Sequence, residues 1–243
     1  MMLCMLLTLA AVVVSICEGQ MFHLTRVEMM EYTARNPYDR FDDGRPKVPE
    51  AVLERVKKIT VDQAWEVLRA KGYVNQFAGG FLTTQEGKKL VGRALTAQYL
   101  PLRPDLEEVL AKKAQAAGMT TRQTQKVTDV LQAWDVPVVD LMNARPGHNF
   151  GGDNLHAAIW GHTRTGAVVE GTIRDLEGIV EIPSQVYYRK SHPAAVGNVS
   201  VIGLNIPVRI GPAIVMPGDV VLGDRSGVIF IPPHMVEEVL KGK

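Results

Sequence analysis

Apolar positions take three textures along this chain of 243 residues. They recur at helical spacing up to about residue 72. Continuous apolar runs then alternate with charged stretches as far as about residue 181. Beyond Pro183 short apolar runs are broken by glycines. The first texture predicts helices. Thr25–Ala34 reads as a short one, and Asn36–Pro46, with prolines, a glycine and mixed charges, reads as an irregular arm. Pro49 suits the first helical position and opens a helix to about Lys58. Thr60 caps another, with Val61, Ala64, Trp65 and Leu68 at helical spacing and Gly72 as its stop. Trp65 and Tyr73 are expected in the core.

The second texture predicts alternating strands and helices. Leu90–Leu100 is a strand stopped by Pro101 and Pro104, and Asp105–Ala117 is a charged helix ending at Gly118. Gln123–Leu131 is a further helix or a mobile excursion. Val136–Met142 is a buried strand and Asn143–Asp153 a Gly-rich loop. Asn154–Thr165 is a helix, Gly166–Ile173 a strand and Asp175–Glu181 a short helix. Such alternation implies parallel βαβ units with right-handed crossovers. In the third texture, Val186–Arg189, Val199–Ile202, Val208–Ile210, Ala213–Val215, Val220–Leu222 and Val228–Ile231 are short strands, expected to form a compact β-rich layer. Pro232-Pro233 then opens a last helix over His234–Leu240. No internal repeat or low-complexity tract is visible.

Composition changes this picture in three places. The net charge of +1 and the lack of a basic block argue against a partner bound through phosphate neutralisation, so no nucleic-acid partner is expected. Both cysteines, Cys4 and Cys17, precede the folded body, which leaves it no disulfide, thiolate nucleophile or cysteine metal site. Any metal must then be held by oxygen or imidazole, which favours Mg²⁺ or Mn²⁺. The leader Leu3–Ile16 is apolar but, at fourteen residues, short of the roughly 20 a membrane span needs. It reads as a secretory h-region without the usual preceding Lys or Arg, or else as a stretch upstream of a true start at Met21. The chain therefore divides into 1–20 as leader, 21–50 as arm and 51–243 as one domain. It is expected to be exported if the leader acts as a signal, and cytoplasmic otherwise, with no membrane association after leader removal.

The candidate chemistry rests on a spacing. Gly151-Gly152-Asp153-Asn154-Leu155 and Gly171-Thr172-Ile173-Arg174-Asp175 both sit where a strand meets a helix, and twenty residues separate Asp153 from Arg174. That gap fits one helix and one strand, so both loops open on one sheet edge. Paired glycines let a ligand approach the backbone, and the helix start offers free N–H groups with roughly half an elementary charge. The plain alternative is Asp153 as an N-cap. A guanidinium at a strand's carboxyl end can grip a carboxylate, and an adjacent aspartate would repel that anion unless a cation lay between them. The plain alternative is a structural Arg174–Asp175 ion pair. His148, His156 and His162 flank the loop. The two helical histidines are expected in mundane roles, whereas His148 is a candidate for metal or substrate contact. Glu170 and Asp224 are weaker candidates for acid/base support.

These motifs, with Pro217-Gly218-Asp219-Val220-Val221 and Gly227-Val228-Ile229-Phe230-Ile231-Pro232, resemble the metal-dependent class II pyruvate aldolases of the 4-hydroxy-4-methyl-2-oxoglutarate type, which share their fold with RraA-like regulators of ribonuclease activity. The resemblance spans roughly residues 50–241. It implies a single α/β domain of the swivelling β/β/α type, with an N-terminal helical arm and a β-rich C-terminal half. It implies a homotrimer or hexamer with the site near a subunit interface, where a neighbour adds acidic groups. It implies Asp175 as the anchor of Mg²⁺ or Mn²⁺, Arg174 on the pyruvyl oxygens, Asp153 in proton transfer through water, and the backbone of Gly151, Gly152, Asp153, Asn154 and Leu155 on the carboxylate of a small 2-oxo acid. The implied chemistry is cleavage of 4-hydroxy-2-oxo acids to pyruvate, with decarboxylation of oxaloacetate through the same enolate. No lysine lies in the motif, which argues weakly against a Schiff base. The same resemblance leaves a second function open, a non-catalytic regulator that binds a ribonuclease. A methyltransferase is discounted because the glycines form no nucleotide fingerprint. Specificity is expected from the arm and the segment after Pro101.

Overall fold

The computed structural model describes residues 22–116, 118–120, 122–142 and 148–242. The leader and the first five residues of the Gly-rich loop, 143–147, lie outside the described residues. The arm carries α1 (Arg26–Tyr32), closed by a reciprocal capping box between Thr25 and Glu28. Two helices follow, α2 (Glu50–Val56) after Pro49 and α3 (Val61–Ala70), whose cap Thr60 pairs with Gln63. Two short strands the sequence pattern does not announce come next, β1 (Phe77–Ala78) and β2 (Leu82–Thr83).

The central alternation is β3 (Leu90–Pro101), α4 (Pro104–Ala116), α5 (Gln125–Thr128), β4 (Asp135–Asp140), α6 (Asp153–Thr163), β5 (Gly166–Ile173), α7 (Leu176–Val180) and β6 (Gln185–Ser191). The candidate helix over Gln123–Leu131 contracts to the single turn α5. Then come β7 (Val199–Leu204), β8 (Val208–Ile210), β9 (Ala213–Val215), β10 (Val220–Asp224), β11 (Gly227–Ile231), a 3₁₀ turn at Pro233–Met235 and α8 (Val236–Lys241).

Strands β3, β4, β5 and β6 run parallel side by side, as the βαβ pattern requires. Every residue of β4 and β5 is buried, because helices and loops cover both faces of a parallel sheet. The β-rich C-terminal half is present, and most of its strands join the central sheet. β10 pairs antiparallel with β3, β11 with β10, and β7 with the end of β3, so these strands extend one sheet, and only β8 and β9 stand apart. Short runs leave many backbone groups unpaired, and the long β3 offers them the whole edge opposite β4, which β10 takes at one end and β7 at the other. The sheet path begins at β1 and ends at β2. Those strands are separated by residues 79–81 alone, so the sheet curls until its two ends share one loop.

The core does not take all the residues expected of it. Val61, Ala64 and Leu68 form the inward stripe of α3, whereas Trp65 lies at its border, 38% exposed, with the Arg69 guanidinium 5.0 Å from its ring. Tyr73 is half-buried against the cluster of Val48, Leu53 and Leu68, and its hydroxyl meets Nε2 of His234 at 2.8 Å. The arm is anchored from within. Arg45, buried, donates from both terminal nitrogens to Asp135 at 2.9 and 2.8 Å, and Arg93 approaches the same carboxylate at 3.4 Å.

The Pro217-Gly218-Asp219 turn holds a second buried acid. Asp219 Oδ2 accepts from the Met216 N–H at 2.8 Å, but burial still raises the carboxyl from its ordinary 3.8 to about 7. A pKa raised on folding contributes stability that is complete below the unfolded value and is lost as pH climbs through the folded one. Asp219→Asn keeps an acceptor for Met216 and no longer titrates. Its stability relative to the parent is therefore expected to rise between about pH 4 and about pH 8. Denaturant titration at the two pH values checks this, and a difference that does not change with pH would show the carboxyl to be ionised throughout.

Candidate functional site

The two motif loops are stitched to each other. Asn149 bridges to Thr172 as in a parallel ladder, the Phe150 N–H donates to the Thr172 carbonyl at 2.9 Å, and the Arg174 N–H donates to the Gly151 carbonyl at 3.1 Å. The Gly-rich loop thus runs on as a short extension beside the end of β5. Both loops lie at the carboxyl ends of parallel strands, where open α/β sheets place ligands.

Two glycines make the loops fit. A Cβ on Gly152 would fall on the Asp175 carboxylate, and a Cβ on Gly178 would come within 2.8 Å of Asp153 Oδ2. Asp175 therefore leans across Gly152 of the Gly-rich loop, and Asp153 across Gly178 of α7. Gly152 also occupies the N-cap of α6, so no side chain caps that helix, and Asp153 is its first residue rather than its cap. The Asp153 carboxylate instead accepts from the N–H of Asn154 at 2.7 Å. Asp175 adopts a left-handed backbone, φ +55°, which aspartate tolerates better than most residues.

Gly151, Gly152, Asp153, Asn154, Leu155 and Arg174 line a single cleft of about 400 Å³. Asp175 stands beside it, with Oδ2 3.2 Å from Arg174 Nε, although that nitrogen has no aligned hydrogen-bond acceptor. The ion pair of the plain alternative is thus present, and Arg174 also lines the cleft. The opposite wall was missed by sequence reasoning. It comes from Thr124, Gln125, Thr128 and Asp129 on and around α5, with Val196 from the loop before β7. Specificity expected from the segment after Pro101 thus has a physical place. The arm does not share it, since no arm residue lines the cleft.

His162 reaches the cleft from the last turn of α6. His156 is fully buried, packed edge-on to Phe150 at 6.0 Å, and burial pushes its imidazole down to about 4, so it is neutral core. Among the described residues His148 Nδ1 is buried without a partner, and His148 is not among the lining residues of the cleft. Two weaker candidates are structural. Glu170, 4% exposed, is gripped by Arg189 at 2.7 and 3.0 Å. Asp224 accepts from the N–H groups of Val61 and Ser226, at 2.8 and 2.9 Å, so it fastens the start of α3. A second cavity, about 390 Å³, lies between the arm and the start of α8. It holds no residue of the two loops around Asp153 and Arg174, although Asp219 and Pro232 of the C-terminal motifs line it.

Among the described residues no three His, Cys, Asp or Glu side chains converge as a metal cage. The motif loops offer two carboxylates, Asp153 and Asp175, and Asp129 and His162 line the same cleft without forming a cluster with them. Mg²⁺ and Mn²⁺ are hard ions, and Mg²⁺ is commonly held by one or two carboxylates with water and substrate completing the shell. The donor set fits that mode and does not fit a closed structural site.

Comparison with known proteins bears on the fold and the family. A protein of Halalkalibacterium halodurans, provisionally named a 4-hydroxy-4-methyl-2-oxoglutarate aldolase, is 33% identical over 76 residues, 31% of this chain and 36% of that one. Protein DlpA of Legionella pneumophila is 26% identical over 166 residues, 67% of this chain and 25% of that one. The chain thus spans about a third and a quarter of the lengths of these two curated relatives. Among solved structures, Streptomyces coelicolor RraAS2, described as an unusual member of the RNase ES inhibitor RraA family, superposes with TM-score 0.67 at 21% identity, over 80% of this chain and 92% of that one. An uncharacterized protein from Pseudomonas syringae pv. tomato superposes equally well, at 18% identity over 85% of each chain. These structural likenesses show the fold. The family model described as RraA-like, Aldolase/RraA, matches residues 60–230, and with the mixed α/β sheet and N-terminal helices it establishes that the chain belongs to the RraA-like family.

Proposed function

We propose that the cleft binds a small 2-oxo acid and that the protein is a divalent-metal-dependent carbon–carbon lyase. It would cleave 4-hydroxy-2-oxo acids to pyruvate and decarboxylate oxaloacetate. The observation that carries this is the convergence of Arg174, Asp153 and the uncapped start of α6 on one cleft, with Asp175 beside it. The Arg174 fork and the first N–H groups of α6 would hold the substrate carboxylate and 2-oxo group. Arg174 would also face the negative charge that grows as the enolate forms. Asp153 would orient a water that carries the proton. Asp175, with Asp153 close by, would hold Mg²⁺ or Mn²⁺, which supplies Lewis-acid polarisation of the 2-oxo group when bound.

Activity on oxaloacetate is expected to vanish in excess chelator and to return with added Mg²⁺ or Mn²⁺. Pyruvate release measured with a coupled assay checks this, and full turnover in chelator above the uncatalysed rate would remove the metal from the scheme. We further propose assembly as a homotrimer or hexamer. The exposed apolar residues Phe22, Val27 and Tyr32 on the arm support it, and light scattering tests it.

A second reading is a non-catalytic RraA-like regulator that binds a ribonuclease. The comparisons support it more directly than they support the lyase. Among the described residues no three metal-ligating side chains cluster, the aldolase-named relative aligns over 76 residues only, and the RNase ES inhibitor family member covers 80% of the chain. Ribonuclease binding by a preparation that turns over no 2-oxo acid would establish this reading in place of the first.

A further inference from the structure

Pyruvate fills only a small part of a 400 Å³ cleft, so the wall facing Arg174 must read the rest of the substrate. That wall is polar and carries a negative charge. Asp129, the C-cap of α5, is exposed, and no ion pair neutralises its carboxylate among the described residues. Thr124, Thr128 and Gln125 stand with it. The Thr128 hydroxyl donates to the Gln125 carbonyl at 3.0 Å, so its oxygen remains free to accept. Arg174 is the sole arginine or lysine among the described lining residues. A 4-hydroxy-2-oxo dicarboxylate, longer than oxaloacetate, would place one carboxylate on Arg174 and bring the other toward Asp129, with no second arginine or lysine among the described lining residues to receive it. Like charges brought together in a cleft repel, and this is a recognised way to reject a ligand. A purely apolar tail would leave the hydroxyls and the amide unpaired. A tail bearing hydroxyl groups satisfies them and donates to Asp129.

We infer that the cleft selects 4-hydroxy-2-oxo acids with a single carboxylate and an uncharged, hydroxylated tail, and that Asp129 enforces the choice. The inference rests on the 2-oxo acid reading above, and it departs from the glutarate-type substrate that the motif resemblance implies. The reaction is unchanged and balanced. The C4 hydroxyl loses its proton and becomes the carbonyl of the released aldehyde. The C3–C4 bond breaks, its electron pair passes to C3, and C3 takes up one proton to give pyruvate.

The test uses the full chain with Mg²⁺ and two acids, 4,5,6-trihydroxy-2-oxohexanoate and 4-hydroxy-2-oxoglutarate, with calorimetric binding of pyruvate as the reference. The parent is expected to favour the trihydroxy acid in kcat/KM by at least about tenfold, and Asp129→Arg is expected to reverse the order. Asp129→Asn, milder at this exposed position, is expected to narrow the ratio. A parent that prefers the dicarboxylate, or a ratio unmoved in both variants, overturns the inference and leaves the 2-oxo acid reading standing. Pyruvate binding without cleavage of the trihydroxy acid also overturns the tail assignment alone. Neither pyruvate binding nor cleavage of either acid overturns both.

Discussion

Arg174→Lys is expected to lose at least about 10²–10³ in kcat on oxaloacetate while keeping its fold, because removal of one well-aimed donor at a developing oxyanion costs that much. Lysine keeps the charge but not the planar fork, so it cannot pair with a carboxylate through two parallel bonds. The placement sharpens the expectation. The Arg174 backbone is pinned to Gly151, and Nε already faces Asp175 at 3.2 Å, so the outer nitrogens are the ones left for a ligand. A lysine would lie beside the same aspartate as a single charge and leave the carboxylate of the substrate with one contact. Arg174→Ala is expected to be worse and to weaken binding as well. Asp153→Asn is expected to lower kcat more than it raises KM, since its proposed part is proton handling. Steady-state kinetics with circular dichroism as a folding control check all three. If Arg174→Lys turns over oxaloacetate within a few-fold of the parent, the pair with Asp175 is structural and the site lies elsewhere.

Asp135→Ala is expected to be the most damaging single change to stability, by about 3–5 kcal/mol, the cost of stripping the partner from buried charge. Against the total of about 5–15 kcal/mol typical of a domain, that approaches loss of the folded state at ordinary temperature. Asp135 is fully buried and receives Arg45 through two bonds, Arg93 at 3.4 Å and the Gln132 N–H at 3.0 Å. Its removal leaves two buried guanidiniums with Asp43 Oδ2, 3.8 Å from Arg45 Nε, as the nearby carboxylate and that one half-exposed. Phe41 lies against both, its ring centre 4.4 Å from the Arg45 guanidinium carbon and 5.2 Å from that of Arg93, but a ring face cannot replace an anion. Arg45→Met is expected to cost less, because Asp135 would keep Arg93, and the double change Arg45→Met with Asp135→Leu is expected to recover part of the loss. Urea denaturation measures each variant. A loss under about 1 kcal/mol for Asp135→Ala would mean that water reaches this cluster on unlatching of the arm.

Much of the site was legible because its signals are local. A twenty-residue gap between Asp153 and Arg174 accommodates one helix and one strand whatever the rest of the chain does, so the pattern alone brings both loops to one edge. The same holds for the capped helix starts at Thr25 and Thr60, where side chain and backbone three residues apart settle the geometry. The opposite wall of the cleft was not legible. Asp129 and Thr128 are ordinary polar residues after a weak helical signal, and only the packing of α5 against α6 turns them toward Arg174. Glu170 and Asp224 misled for the converse reason. Each is an acid in a suggestive place, and each is consumed by a partner distant in sequence.

The sequence by itself determined the parallel βαβ alternation, the helix caps and the meeting of the two motif loops. All of these follow from backbone geometry and hydrogen bonding over a few dozen residues. Only the tertiary structure decided that the C-terminal strands would join β3 rather than form their own layer. It alone decided that an irregular arm would bury Arg45 on Asp135, and that Trp65 would stay at the border of its helix. Those outcomes depend on which long-range partner satisfies a buried charge or an unpaired strand edge, and many partners satisfy the local pattern equally well.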